Sequence, residues 1–120
     1  MNEITEMVIG CAYTVSNWMG CGFLEKVYEN ALSHELRRAG LKTEQQRRLA
    51  VHYDGVLVGE YIADMIVEER LLLEIKAAKN LENAHMAQYL NYLKATGLNI
   101  CLLINSGNPR VTIQRVINDA

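Results

Sequence analysis

The run Leu71-Leu72-Leu73-Glu74-Ile75-Lys76 constrains the fold more than any other segment. Three consecutive leucines leave no polar face, so a strand built from them must be covered on both sides, as a central strand is. The charges that follow are a second constraint. Residues two apart on a strand share a face, so Glu74 and Lys76 point the same way, about 7 Å apart. Charges inside a core-like strand are rarely buried without partners or a task.

The rest of the chain supplies the layers that such a strand needs. Ile4, Met7, Val8, Cys11, Val15 and Trp18 recur at helical spacing and predict a helix over roughly residues 3–17. Gly20 and Gly22 break it. A second helix is expected from about Gly22 to Ala39, with Leu24, Val27, Tyr28, Ala31, Leu32, Leu36 and Ala39 as its apolar face and Gly40 as its stop. Leu49, Val51 and Tyr53 then alternate before Asp54-Gly55, a strong hairpin signal. Val56 to Val67 reads as the returning strand and Leu71 to Ala77 as a third, with Glu68-Glu69-Arg70 as the turn between them. A third helix is expected over residues 80–96, ended by Gly97, then strands over Leu98–Ile104 and Val111–Ile117 separated by the loop Asn105–Pro109. The order is α-α-β-β-β-α-β-β, an α/β chain with a mixed sheet flanked by helices. At 120 residues, without a repeat, linker or low-complexity segment, residues 1–120 are expected to form one domain.

Composition narrows the function classes. A net charge of −2 and a pI near 5.9 give no global positive field for nucleic acid. Cys11, Cys21 and Cys101 are odd in number and lack metal-ligand spacing, which suggests free thiols in a reducing compartment. The acidic N-terminus is not a signal peptide and no apolar run reaches membrane-spanning length, so a cytoplasmic location is expected.

Several residues could carry chemistry. A hairpin around Glu68-Glu69-Arg70 lets Asp64 lie beside Glu74. Mg²⁺ prefers oxygen ligands, and protein sites give it one or two carboxylates plus water and substrate phosphate, which Asp64 and Glu74 match. Lys76 could orient or help deprotonate a water and offset phosphoryl charge. The alternative is a surface ion pair on an edge strand. Glu25 falls at the margin of the second helix's apolar arc, where a carboxylate either snorkels out or faces a cation; it also suits the helix dipole. Gln88 and Tyr92 are four apart and share a face of the third helix, with Gln88 on a stripe that reads as buried. His85 lies on the same side and reads as a core or rim residue. Arg37, Arg38, Lys42, Arg47 and Arg48 make the one basic cluster, read first as a solvated face and second as a phosphate-contacting rim. The aromatic residues read as scattered, without a stacking platform.

Together these parts resemble the PD-(D/E)XK nuclease superfamily, with its restriction-endonuclease-like core: Asp64 on the second strand, Glu74-Ile75-Lys76 on the third. Gly22-Phe-Leu-Glu25-Lys-Val-Tyr28 is similar to the motif that names the GxxExxY family within it. The likeness runs from the first helix to Leu102-Leu103-Ile104-Asn105. Ala63 stands where the superfamily name has proline, and Cys21 lies between two glycines where relatives tend to carry proline. The resemblance implies Asp64 and Glu74 as metal ligands, the Ile75 carbonyl as a further one, Glu25 as an acid that joins or supports the metal, and Lys76 as the catalytic lysine. Gln88 and Tyr92 resemble the Q-x-x-x-Y motif of the exonuclease-like branch, which braces the site or the strand.

The function so implied is a Mg²⁺- or Mn²⁺-dependent nuclease acting on nucleic acid, DNA in the first instance. The acidic pI argues against retained catalysis, or for a substrate delivered by a protein partner or held across a homodimer. The alternative is a non-catalytic nucleic-acid-binding or protein-interaction module that keeps the fold.

Overall fold

The computed structural model describes residues 2–78 and 83–118. Eight elements follow in the expected order: α1 (Asn2–Met19), α2 (Glu25–Arg38), β1 (Thr43–Tyr53), β2 (Val56–Val67), β3 (Leu71–Lys76), α3 (Asn83–Thr96), β4 (Ile100–Asn105) and β5 (Thr112–Ile117). The strands form one sheet in the order β1-β2-β3-β4-β5. β3 and β4 are parallel, joined by the crossover through α3, and every other pair is antiparallel. The chain is thus α/β with a mixed sheet flanked by helices, as its sequence implied.

The leucine run explains the layering. Leu71, Leu73 and Ile75 face α1 and α2, packing with Val8, Ala12, Tyr28, Leu32 and Leu36. Leu72 faces the other way, toward Tyr89 and Leu93 of α3, with Cys101, Leu103 and Val116 beside it. A strand apolar on both faces therefore sits between helices on both faces. Tyr28 pins the two helices of the first layer, because its buried hydroxyl donates to the Ala12 carbonyl at 2.8 Å.

Turn chemistry sets the hairpins. Asp54 and Gly55 both have positive φ (53° and 76°), the requirement of a type I′ turn, and they join Tyr53 to its register partner Val56. Gly22, at φ 96°, delays the second helix, so α2 begins at Glu25 rather than at the expected Gly22. The expected start of the third helix at residue 80 lies outside the described residues. Among the described residues, no helix is long and apolar enough to cross a membrane.

Candidate active site

The site forms where two strands part. The β2–β3 ladder holds only Met65↔Leu73, Ile66↔Leu72 and Val67↔Leu71, whereas the β3–β4 ladder continues to Lys76↔Asn105. From Glu74 onward one edge of β3 lacks a strand partner. Its main-chain donors still need acceptors, because an unpaired peptide group is costly away from water. Carboxylates fill the role: Asp64 Oδ2 accepts from the Ile75 N–H at 2.8 Å, and Glu25 Oε1 accepts from the Ala77 N–H at 3.0 Å. A residue's N–H and C=O project to the same side of a strand, so the Ile75 carbonyl lies on this open edge too. Glu25 is exposed in the first turn of α2, where an acid also favours the helix dipole.

Glu74 is 4% exposed, and its buried Oε1 atom has no hydrogen-bond partner among the described residues. Burial pushes its pKa up to about 8; Lys76 and the Asp64 amide pull down, while Glu29 and Glu25 push further up. Asp64 is also raised, first by burial, with the Ile75 amide opposing and Glu29 adding repulsion. Burial is thus the first cause at both carboxylates, and the charge of Lys76 opposes it at each. Burial works against the charge of Lys76, but a hydrogen bond with the Tyr89 hydroxyl and the fields of Glu25 and Glu74 outweigh it, so the ammonium is held above its ordinary value.

Glu29 is a site residue that sequence reasoning missed. It lies one turn beyond Glu25 on α2 and is 3% exposed. Its carboxylate accepts from Gln45 Nε2 at 2.6 Å, Lys26 Nζ at 3.0 Å and Gln46 Nε2 at 3.1 Å. Gln45 and Gln46 are consecutive in β1, so ordinary alternation would send their side chains to opposite faces. Gln46 has φ 54° and drops out of the register between Gln45↔Met65 and Arg47↔Ala63, which lets both amides reach Glu29. The signal was present: Glu25, Glu29, Leu32 and Leu36 follow the i, i+4, i+7, i+11 stripe of a buried helix face.

Gln88 departs from its expected setting. It is exposed, and its amide donates to the Tyr92 hydroxyl at 2.5 Å. The aromatic residues also differ from expectation: Tyr61 of β2 stacks on Tyr92 with ring centroids 3.6 Å apart, and Tyr89 tilts against Tyr92 at 6.0 Å. Gln88 and Tyr92 therefore reach the site through Tyr89, which contacts Lys76. Tyrosines remote in sequence were brought together by the packing of α3 on β2. The side chain of His85 lies outside the described residues.

The basic cluster is largely paired. Arg47 bridges Glu69 at 2.7 Å and Glu44 at 2.9 Å, and Arg38, Lys42 and Arg48 each lie within 3.8 Å of a carboxylate. Arg37 donates to the Thr43 carbonyl. A separate apolar cavity of about 460 Å³ between α1 and α2, bordered by Trp18, Ala31 and His34, shares no residue with the site.

The donor set discriminates between metals. Among the described residues, no three acidic, histidine or cysteine side chains lie close enough to cage an ion. That arrangement is unlike a structural zinc site. Two carboxylates beside an open carbonyl edge, one of them with an orphaned buried oxygen, fit a hard cation that keeps several waters.

A family described as the PD-(D/E)XK nuclease superfamily matches residues 2–116, and the chain belongs to that superfamily. Its members generally use divalent metals. No curated protein sequence matches the chain. Among solved structures, the crystal structure of a protein designated SSO0001 is similar, with 16% identity and a TM-score of 0.58. The match covers 79% of this chain and 50% of that one, so this chain spans half the length of that protein. An alkaline exonuclease from Laribacter hongkongensis is also similar, at 13% identity and a TM-score of 0.52, covering 90% of this chain and 76% of that one. At these identities the likeness is one of fold.

Proposed function

We propose that this chain is a divalent-metal-dependent nuclease of the GxxExxY branch, hydrolysing phosphodiesters in nucleic acid, with DNA as its first substrate and Mg²⁺ or Mn²⁺ as its cofactor. The observation that carries this reading is the orphaned oxygen of Glu74 at the fork between β2 and β3. Asp64 and Glu74 would hold the ion, with the Ile75 carbonyl and Glu25 beside them. A divalent ion there supplies Lewis-acid charge and a water of lowered pKa. Asp64 is oriented beforehand by the Ile75 amide, so little reorganisation is needed at binding. Lys76 remains an ammonium at neutral pH, which suits it to orienting the attacking water and offsetting charge on phosphoryl oxygens rather than to acting as a base. Gln88 and Tyr92, joined by Tyr61, would brace the strand beside the lysine.

One observation favours the second reading, a nucleic-acid-binding or protein-interaction module without catalysis. The basic cluster is engaged with the chain's own carboxylates and backbone, which weakens autonomous capture of a polyanion. A partner or second copy that brings the substrate reconciles this with catalysis.

The test is a cleavage assay on defined single- and double-stranded DNA and RNA with Mg²⁺ or Mn²⁺, run beside Lys76→Ala. Metal-dependent cleavage that falls by about 10²-fold or more in the variant is expected, the usual scale for losing a transition-state charge partner. Cleavage undiminished in Lys76→Ala places the activity elsewhere, and no cleavage of any substrate favours the second reading.

A further inference from the structure

The end of β3 is held by a device on the opposite side from the carboxylates. The parallel ladder closes at Lys76↔Asn105, and Asn105 and the first two residues of the following loop then take over. The Ser106 N–H donates to the Lys76 carbonyl at 2.8 Å. Asn105, 2% exposed, donates from Nδ2 to the Ala78 carbonyl at 2.7 Å and accepts the Ala78 N–H on Oδ1 at 3.0 Å. An amide that exchanges both bonds with one residue's N–H and C=O imitates a paired strand residue. The same Oδ1 accepts the Gly107 N–H at 3.0 Å, which folds the loop against β3. Gly107 completes the fit by its lack of a side chain: a methyl group there would lie 2.5 Å from the Ala78 nitrogen and 2.8 Å from its carbonyl carbon. Glu25 meanwhile holds the Ala77 N–H from the open edge.

We infer that Asn105, Ser106 and Gly107 form a positioning clamp that fixes the main chain of Lys76, Ala77 and Ala78. Through it they set the reach of Lys76 toward Glu74 and of the Ala77 N–H toward Glu25. The inference rests on the nuclease reading for its catalytic consequence and on geometry alone for the clamp. Asparagine supplies a donor and an acceptor at the required length, whereas aspartate keeps only the acceptor. Glycine supplies contact distance. The three residues are positioning residues that act through Lys76 and Glu25.

The experiment compares wild type with Gly107→Ala, Asn105→Asp and Asn105→Ala. It reads amide hydrogen exchange and amide shifts at Ala77 and Ala78 in the metal-free protein, then kcat and KM with Mg²⁺ and a cleaved oligonucleotide. Gly107→Ala changes no hydrogen-bonding group, so it should act only by displacing residue 78. The expected result is faster exchange at Ala77, a shifted Ala77 amide, and a kcat lower by about 10- to 100-fold at nearly constant KM, the scale of a small misplacement. Asn105→Asp should fall between wild type and Asn105→Ala, and it serves as the folded comparison should the alanine variant not fold. An unaltered Ala77 amide in folded variants overturns the clamp, as does a fall in melting temperature with kcat preserved. Should wild type cleave nothing, the nuclease reading fails while the Ala77 signature still decides the clamp.

Discussion

The Asp64 carboxylate accepts the Ile75 amide proton at 2.8 Å, at the point where β2 leaves β3. One bond ties the carboxylate to the strand fork: the side chain satisfies the peptide group that the departing strand exposes. The same side chain is destabilised by burial and by the neighbouring Glu29 and Glu25. Function and stability should therefore separate on substitution. Asp64→Asn keeps an acceptor for Ile75 and removes a charge from an acidic cluster. Its metal-free melting temperature should match or exceed that of wild type, while the rise produced by saturating Mn²⁺ disappears. A melting temperature several degrees lower in metal-free Asp64→Asn would show that the charge serves the fold instead.

Glu74 sets a pH dependence whose sign follows from its raised pKa. The unfolded chain loses this proton near the ordinary carboxylate value, and the folded chain keeps it to about 8. Between these values the native state binds more protons, so metal-free stability falls as pH rises and the loss is complete above about 8. The melting temperature should drop by roughly 5 °C or more between pH 5.5 and 8.5, and Glu74→Gln should flatten that slope. Metal affinity should run the opposite way, rising up to about tenfold per pH unit below 8, because a bound cation displaces the proton. Parallel thermal scans of the two proteins read both effects.

Gln46 places a non-glycine residue at φ 54° and spends its amide on Glu29. Gln46→Ala loses the hydrogen bond and keeps the backbone conformation, for a cost of about 1 kcal/mol. Gln46→Gly loses the same bond but relieves a left-handed conformation worth roughly 1 kcal/mol, so it should lie close to wild type. Urea midpoints order the three proteins. Equal loss in both variants would mean that residue 46 carries no backbone strain.

The sequence made the element order and the main carboxylates legible because each has a local signature. Leu71-Leu72-Leu73 announces a doubly covered strand, and Asp54-Gly55 announces its turn. β1 was harder: Thr43 to Arg48 is polar throughout, because these residues sit on an edge strand whose side chains serve Glu29 and Glu69 rather than a core. Glu29 stood on the apolar stripe of α2, but its donors come from a strand irregularity that no local pattern encodes. The Tyr61–Tyr92 stack and the Asn105–Ala78 pairing join residues 31 and 27 positions apart in sequence, so they are tertiary facts.

Calorimetric titration of Mn²⁺ into wild type and Asp64→Ala near pH 7 tests whether Asp64 and Glu74 together hold a divalent cation at the fork. Saturable binding is expected in wild type, with proton release revealed by buffers of different ionisation enthalpy, and no binding in Asp64→Ala. Absent binding in wild type, or equal binding in both proteins, would contradict it.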